Sequence, residues 1–180
     1  MVRVDPVSYE DLPSEIGNVV RTYGTEYGPF GNQAQVLAHV PPAAHHLAAM
    51  LMELKARAGI KWRYIELAMT CVSKMNECDY CVAHHSPHLR VDGILEVGLE
   101  NLLSYHDHPE LDEIDKLVVE YAIAITNNIG KIRDNLFERL YAEFSQAEIV
   151  ELTLRISLCG FFNRFNDALM IEIEDEILSK

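Results

Sequence analysis

Two cysteines, Cys78 and Cys81, are spaced as Cys-x-x-Cys, and His85 follows after three intervening residues. Offsets of i, i+3 and i+7 place all three side chains on one face of a helix. A helix that begins near Cys78 sets this thiol in or just before the first turn. Unpaired backbone N–H groups and the helix dipole favour a thiolate there. An ordinary cysteine titrates near ~8.5, so at neutral pH a base must take its proton. His85 is within direct or one-water reach of Cys81. Glu66 lies on the preceding predicted helix, at the edge of its apolar stripe. A carboxylate beside a thiolate disfavours ionisation of the thiol, because like charges repel. Glu66 therefore helps only by accepting or relaying the proton, or by holding the imidazole in one tautomer.

The elements that carry these residues follow from helical periodicity, which runs through the whole chain. Ile65, Ala68, Met69, Val72 and Met75 form one apolar stripe and predict a helix from about Trp62 to Met75. Asn76 is expected to end it in the left-handed conformation. The next helix is expected from Cys78 to Arg90, and another over about Ile94 to Leu103. Before them, residues 14–23 predict a short helix stopped by Gly24, followed by a loop to Gly31. Asn32 is expected to cap a helix to about Val40. Pro42 suits the first turn of a helix to Ala58, with Gly59 as its stop. After the polar segment Ser104–Pro109, acidic residues open a helix from Glu113 to Thr126. Asn127 to Gly130 is read as a break, and Arg133 to Phe144 as helical. Ser145 and Glu148 have the spacing of a capping box. They open a last long helix with Ile149, Leu152, Ile156 and Cys159 on one stripe. The expected fold is all-α, a bundle of about seven or eight helices with short antiparallel connections.

Bulk properties narrow the function. A chain of 180 residues is read as a single domain spanning 1–180, long enough to fold without disulfides. Its net charge is −13, from 15 basic and 28 acidic residues, and no basic cluster is present. That disfavours nucleic acid and anionic membrane surfaces as partners. No apolar run reaches membrane-spanning length, and the first ten residues lack a signal-peptide core. The expected compartment is therefore the reducing cytoplasm. There, two of the four cysteines in a Cys-x-x-Cys pair point to redox chemistry or metal binding rather than a structural bridge.

The pattern Glu66-x11-Cys78-x2-Cys81-x3-His85 resembles the alkylhydroperoxidase D-like / carboxymuconolactone decarboxylase superfamily, in its peroxidase-related branch. Leu37-Ala38-His39 with Pro41, Arg63 with Glu66-Leu67-Ala68, and Phe144 with Glu148, Val150 and Glu151-Leu152-Thr153 extend the likeness over about residues 33–170. The resemblance implies that Cys81 is the peroxidatic thiolate and Cys78 the resolving, more exposed thiol. His85 and Glu66 would form the proton relay. Better-studied members have a His before the second Cys, where this chain has Tyr80. The resemblance also implies a small-molecule peroxide as substrate and a lipoyl- or thioredoxin-like dithiol as reductant. It implies no cofactor or metal, and a homo-oligomer: dimer, trimer or hexamer.

Other readings stand beside this one. A decarboxylase-type lyase would leave both thiols incidental. A non-enzymatic module would use the disulfide to switch assembly. Zinc could draw on Cys78, Cys81 and one of His84, His85 or His88, but a second Cys-x-x-Cys is absent from the sequence. Cys71 and Cys159 read as small buried hydrophobes. His84 is expected to face away from the pair. His39, His45 and His46 read as packed or solvated, and His106 and His108 as loop residues around Asp107. The run Phe161-Phe162-Asn163-Arg164-Phe165-Asn166 reads first as packing.

Overall fold

A computed structural model describes residues 2–127 and 132–179, and every regular element among them is helical. The helices are α1 Ser14–Thr22, α2 Gly31–Leu37, α3 Pro41–Arg57, α4 Trp62–Met75, α5 Asp79–Val91, α6 Glu96–Glu100, α7 Glu113–Thr126, α8 Asp134–Glu143, α9 Gln146–Leu169 and α10 Asp175–Leu178. The chain divides into two compact units. One runs to Ala58 and resumes at Phe165; the other is Gly59–Arg164.

In the first unit, α1 packs on α3 and is followed by a π-helical turn, Tyr23–Tyr27. The expected stop at Gly24 does not occur. Gly24 serves close approach instead: a Cβ there would sit 2.9 Å from the Tyr9 hydroxyl and 3.3 Å from Gly31 Cα. The turn brings Tyr23, Tyr27 and Phe30 into a ring cluster with centroids 5.2 to 6.1 Å apart. Asn32 is not the cap of α2. It lies inside the helix, and its N–H donates to the Glu174 carboxylate at 2.8 Å. The first turn of α3 holds Pro41 and Pro42, whose missing N–H groups need no partner there. This helix ends on Ala58 in the left-handed region, φ 49°, one residue before the expected glycine.

The second unit holds the larger core. Leu67, Ala68, Cys71 and Val72 of α4 pack with Leu117, Val118, Val119 and Ala122 of α7 and with Leu152 and Ile156 of α9. The expected bounds of α4 and α7 match the observed ones. The α6 helix is shorter than expected, because Gly93 turns left-handed at φ 92° and the Glu110 carboxylate accepts from Leu95 N–H at 3.0 Å, ahead of Glu96. Asp112 and Asp115 form a reciprocal capping box on α7. Ser145 and Glu148 do the same at the start of α9, with Ser145 N–H donating to Glu148 at 2.8 Å. Arg63 joins three segments of this unit. Its guanidinium grips the buried Asp115 carboxylate at 3.0 and 2.7 Å and donates to the Asp92 carbonyl at 2.9 Å. Of the break expected over Asn127–Gly130, residues 128–130 lie outside the described residues.

Candidate active site

The junction of α4 and α5 is a single shared turn. Cys78 N–H donates to Ser73 C=O at 3.0 Å and Glu77 N–H to Lys74 C=O at 3.2 Å. This is the Schellman pairing, and it requires a left-handed residue just past the helix cap. That residue is Glu77, at φ 56°, not Asn76, which sits at φ −90°. The expectation missed by one position. Left-handed backbone is unusual for a non-glycine residue and marks a turn held by its surroundings. The same Cys78 that closes α4 is the N-cap of α5, with φ −89° and ψ 95°, and its C=O accepts from Val82 N–H at 3.0 Å. Both cysteines thus lie at the positive end of α5, among backbone N–H groups with no helical partner.

Glu66 of α4 and His85 of α5 meet across the helix pair, with Oε2 and Nδ1 2.8 Å apart. A carboxylate can only accept, so Nδ1 carries the proton and Nε2 is left as the atom that can take or give one. The Glu66 side chain is 2% exposed and the His85 side chain 16%. The dyad is closed on its carboxylate side and reaches solvent on its imidazole side.

Cys78 is 0% exposed and Cys81 3%. The expectation of a more exposed Cys78 is corrected: the turn that makes it both cap and C″ residue folds it inward. All four cysteines are thiols, none in a disulfide. Cys71 and Cys159 lie on apolar stripes as expected, and burial pushes both thiols up to about 12. His84 is not a surface residue. It is buried, its ring stacks on Tyr80 at 4.2 Å, and its Nδ1 lies 2.6 Å from the Tyr80 carbonyl. Among the described residues, no group of three or more His, Cys, Asp or Glu converges to hold a metal ion, and His88 packs edge-on to Trp62 instead.

Several residues near the site were not singled out as functional in the sequence. Asn163 of α9 is fully buried. Its Oδ1 accepts from Asn76 Nδ2 at 2.8 Å, and its Nδ2 donates to Ser73 Oγ at 3.3 Å. One turn back, Cys159 Sγ is 3.4 Å from the same Ser73 hydroxyl. Further back on α9, Arg155 and Glu151 form a buried pair at 2.9 Å, with the guanidinium 5.9 Å from the Trp62 ring centre. From Trp62 opposite Arg155 to Ser73 opposite Asn163, α4 and α9 run parallel, and Glu66 falls within that span. The clue available in advance was the polar pair Asn163-Arg164 set between Phe161-Phe162 and Phe165.

The carboxymuconolactone decarboxylase family matches residues 41–104, which include Glu66, both cysteines of the pair and His85. A peroxidase-related protein with an alkylhydroperoxidase AhpD core, from Ralstonia eutropha JMP134, superposes with a TM-score of 0.81 at 19% identity, covering 98% of this chain and 94% of that one. The chain thus carries a match to the carboxymuconolactone decarboxylase family over residues 41–104 and shares its helical fold with a protein that has an alkylhydroperoxidase AhpD core. A protein of unknown function from Agrobacterium tumefaciens, suggested as an AhpD antioxidant-defence protein, is 26% identical over 76% of this chain and 94% of its own, with a TM-score of 0.65. The debrominase Bmp8 shares the fold at 18% identity and a TM-score of 0.78, over 97% of this chain and 93% of its own. A Cys-to-Ala variant of that debrominase has been solved with 2,3,4-tribromopyrrole. No curated protein matches the sequence.

Proposed function

We propose that this chain is a member of the alkylhydroperoxidase D-like / carboxymuconolactone decarboxylase superfamily and a thiol-dependent peroxidase. The observation that carries the reading is the 2.8 Å contact of Glu66 with His85, beside a Cys-x-x-Cys pair at the start of the same helix. Cys81 thiolate attacks the terminal O–O bond of a hydroperoxide and takes one oxygen, becoming a sulfenic acid. The bond electrons leave with the alkoxide, which is protonated from His85 Nε2 while Glu66 holds Nδ1–H. Cys78 then attacks the sulfenic sulfur. A Cys78–Cys81 disulfide forms, and the hydroxyl leaves as water. An external dithiol, lipoyl- or thioredoxin-like, reduces the disulfide by exchange and is itself oxidised.

Burial of both thiols favours a small peroxide that enters from the imidazole side. No helix among the described residues is long and apolar enough to cross a membrane, and the reducing chemistry suits a cytoplasmic location. Val91, Leu95 and Val97 are each more than 60% exposed. They support a homo-oligomer (dimer, trimer or hexamer), which light scattering measures directly.

The test is stoichiometric. Reduced protein receives one equivalent of hydroperoxide, and intact mass is read before and after alkylation. Loss of two hydrogens, mapped to Cys78 and Cys81, is the expected result, and Cys81→Ser removes it. Unchanged peroxide consumption by Cys81→Ser overturns the reading. 2,3,4-Tribromopyrrole serves as the comparison substrate, because the same thiol pair can reduce a carbon–bromine electrophile. A muconolactone serves as the third, and carbon dioxide release that survives thiol alkylation would point to the lyase.

A further inference from the structure

We propose that Asn163 is a positioning residue: through Asn76 it clamps the turn that carries Cys78, and so fixes how readily Cys78 pairs with Cys81. The inference rests on the redox reading of the cysteine pair, and it concerns residues that reading does not use. Asn163 belongs to α9, far along the chain from the turn it holds. It is 0% exposed; its carboxamide accepts from Asn76 Nδ2 at 2.8 Å and donates to Ser73 Oγ at 3.3 Å, with the longer contact to Cys159 Sγ, at 3.7 Å, inside its own helix.

Both partners flank the Schellman turn. Ser73 C=O receives the Cys78 N–H, and Asn76 immediately precedes the left-handed Glu77. Ser73 Oγ already donates to Met69 C=O at 2.7 Å, so it is satisfied without Asn163. The stability of α4 therefore does not call for an amide at position 163, and an apolar residue of similar volume would fill the site. What the amide adds is direction. It ties the side chain of Asn76, and with it the backbone into Glu77, to a second helix. A buried polar group whose partners gain specificity rather than stability is a recognised device for fixing one arrangement among several. Disulfide formation is sensitive to such fixing, since the two sulfurs must meet within a narrow range of Cα and Cβ separations.

The experiment equilibrates the full chain with glutathione buffers of graded ratio, without peroxide. The fraction of Cys78–Cys81 disulfide is read by acid quench, alkylation and peptide mass for wild type, Asn76→Ala, Asn163→Leu and the double variant. Each single variant is expected to lower the equilibrium constant for disulfide formation about ten-fold, a shift of about 30 mV for this two-electron couple. The double variant is expected to match the singles, because both remove one clamp. A constant unchanged in Asn163→Leu, additive losses in the double variant, or no disulfide in wild type at any ratio overturns the inference. If Asn163→Leu does not fold, Asn76→Ala decides alone: a ten-fold loss supports the clamp and an unchanged constant removes it. Failure of the peroxidase reading shows separately, as absence of peroxide consumption by a pair that still equilibrates with glutathione.

Discussion

Glu66 Oε2 and His85 Nδ1 lie 2.8 Å apart on two different helices, and the carboxylate side of the contact is sealed. The imidazole is thereby fixed in one tautomer and one orientation, which is what a proton donor to a departing alkoxide needs. Glu66→Gln keeps the shape but can present its amide N–H to Nδ1, which selects the wrong tautomer. The expected loss in kcat/KM for hydroperoxide is on the order of 10²-fold, with the fold intact by circular dichroism. A loss below two-fold would show that the dyad plays no part in turnover.

Cys78→Ser separates the two chemical steps. On the peroxidase reading, the first equivalent of peroxide is expected to be consumed at near wild-type rate, with no partner thiol to condense with the product. A sulfenic acid then accumulates on Cys81, read by dimedone labelling and mass, and further peroxide drives it to sulfinic acid. Dimedone labelling no greater than in wild type would assign resolution to another thiol.

The remaining cysteines give a pH prediction. Burial raises the Cys71 and Cys159 thiols from 9.0 to about 12. In native protein at pH 9, iodoacetamide is expected to leave both unmodified, and denaturant is expected to expose them. The raised values also act on stability. Below pH 9 these thiols are neutral in both states and their contribution is fully present. As pH rises from 9 toward 12 the unfolded chain ionises first, so each thiol forfeits about 1.4 kcal/mol per pH unit. Cys71→Ala flattens part of this alkaline slope in urea titrations, and an unchanged slope refutes the assignment.

Arg155 and Glu151 form a pair whose side chains are 2% and 3% exposed, and Glu151 Oε2 has no hydrogen-bond partner. Removing only Arg155, as in Arg155→Met, leaves an uncompensated buried carboxylate. It is expected to cost about 3–5 kcal/mol in urea unfolding. Replacing both with apolar residues recovers most of that loss. A single Arg155→Met variant within 1 kcal/mol of wild type would mean that water reaches Glu151.

Two kinds of information differed in how legible they were from sequence. The bounds of α4 and α7 were readable because each has an uninterrupted apolar stripe, and Ser145 with Glu148 declared a helix start through local spacing. Glu66 and His85 stood out through their offsets from the cysteines. Turn details were not readable. Glu77 rather than Asn76 takes the left-handed position, because the Schellman pairing sets the register and Asn76 is engaged by a residue 87 positions away. Gly24 was misread as a stop because its role, close approach to Gly31, depends on tertiary contact. The burial of Cys78 was missed for the same reason.

Cys78 belongs to two helices at once, finishing α4 and starting α5 with no spacer residue between these duties. An α-helix advances about 100° per residue. One residue inserted or removed between Asn76 and Asp79 would rotate the whole of α5 by that angle and carry the imidazole off the carboxylate it faces. The length of this connection is therefore as much a part of the chemistry as any side chain, and tolerance to substitution here does not extend to tolerance of a changed count.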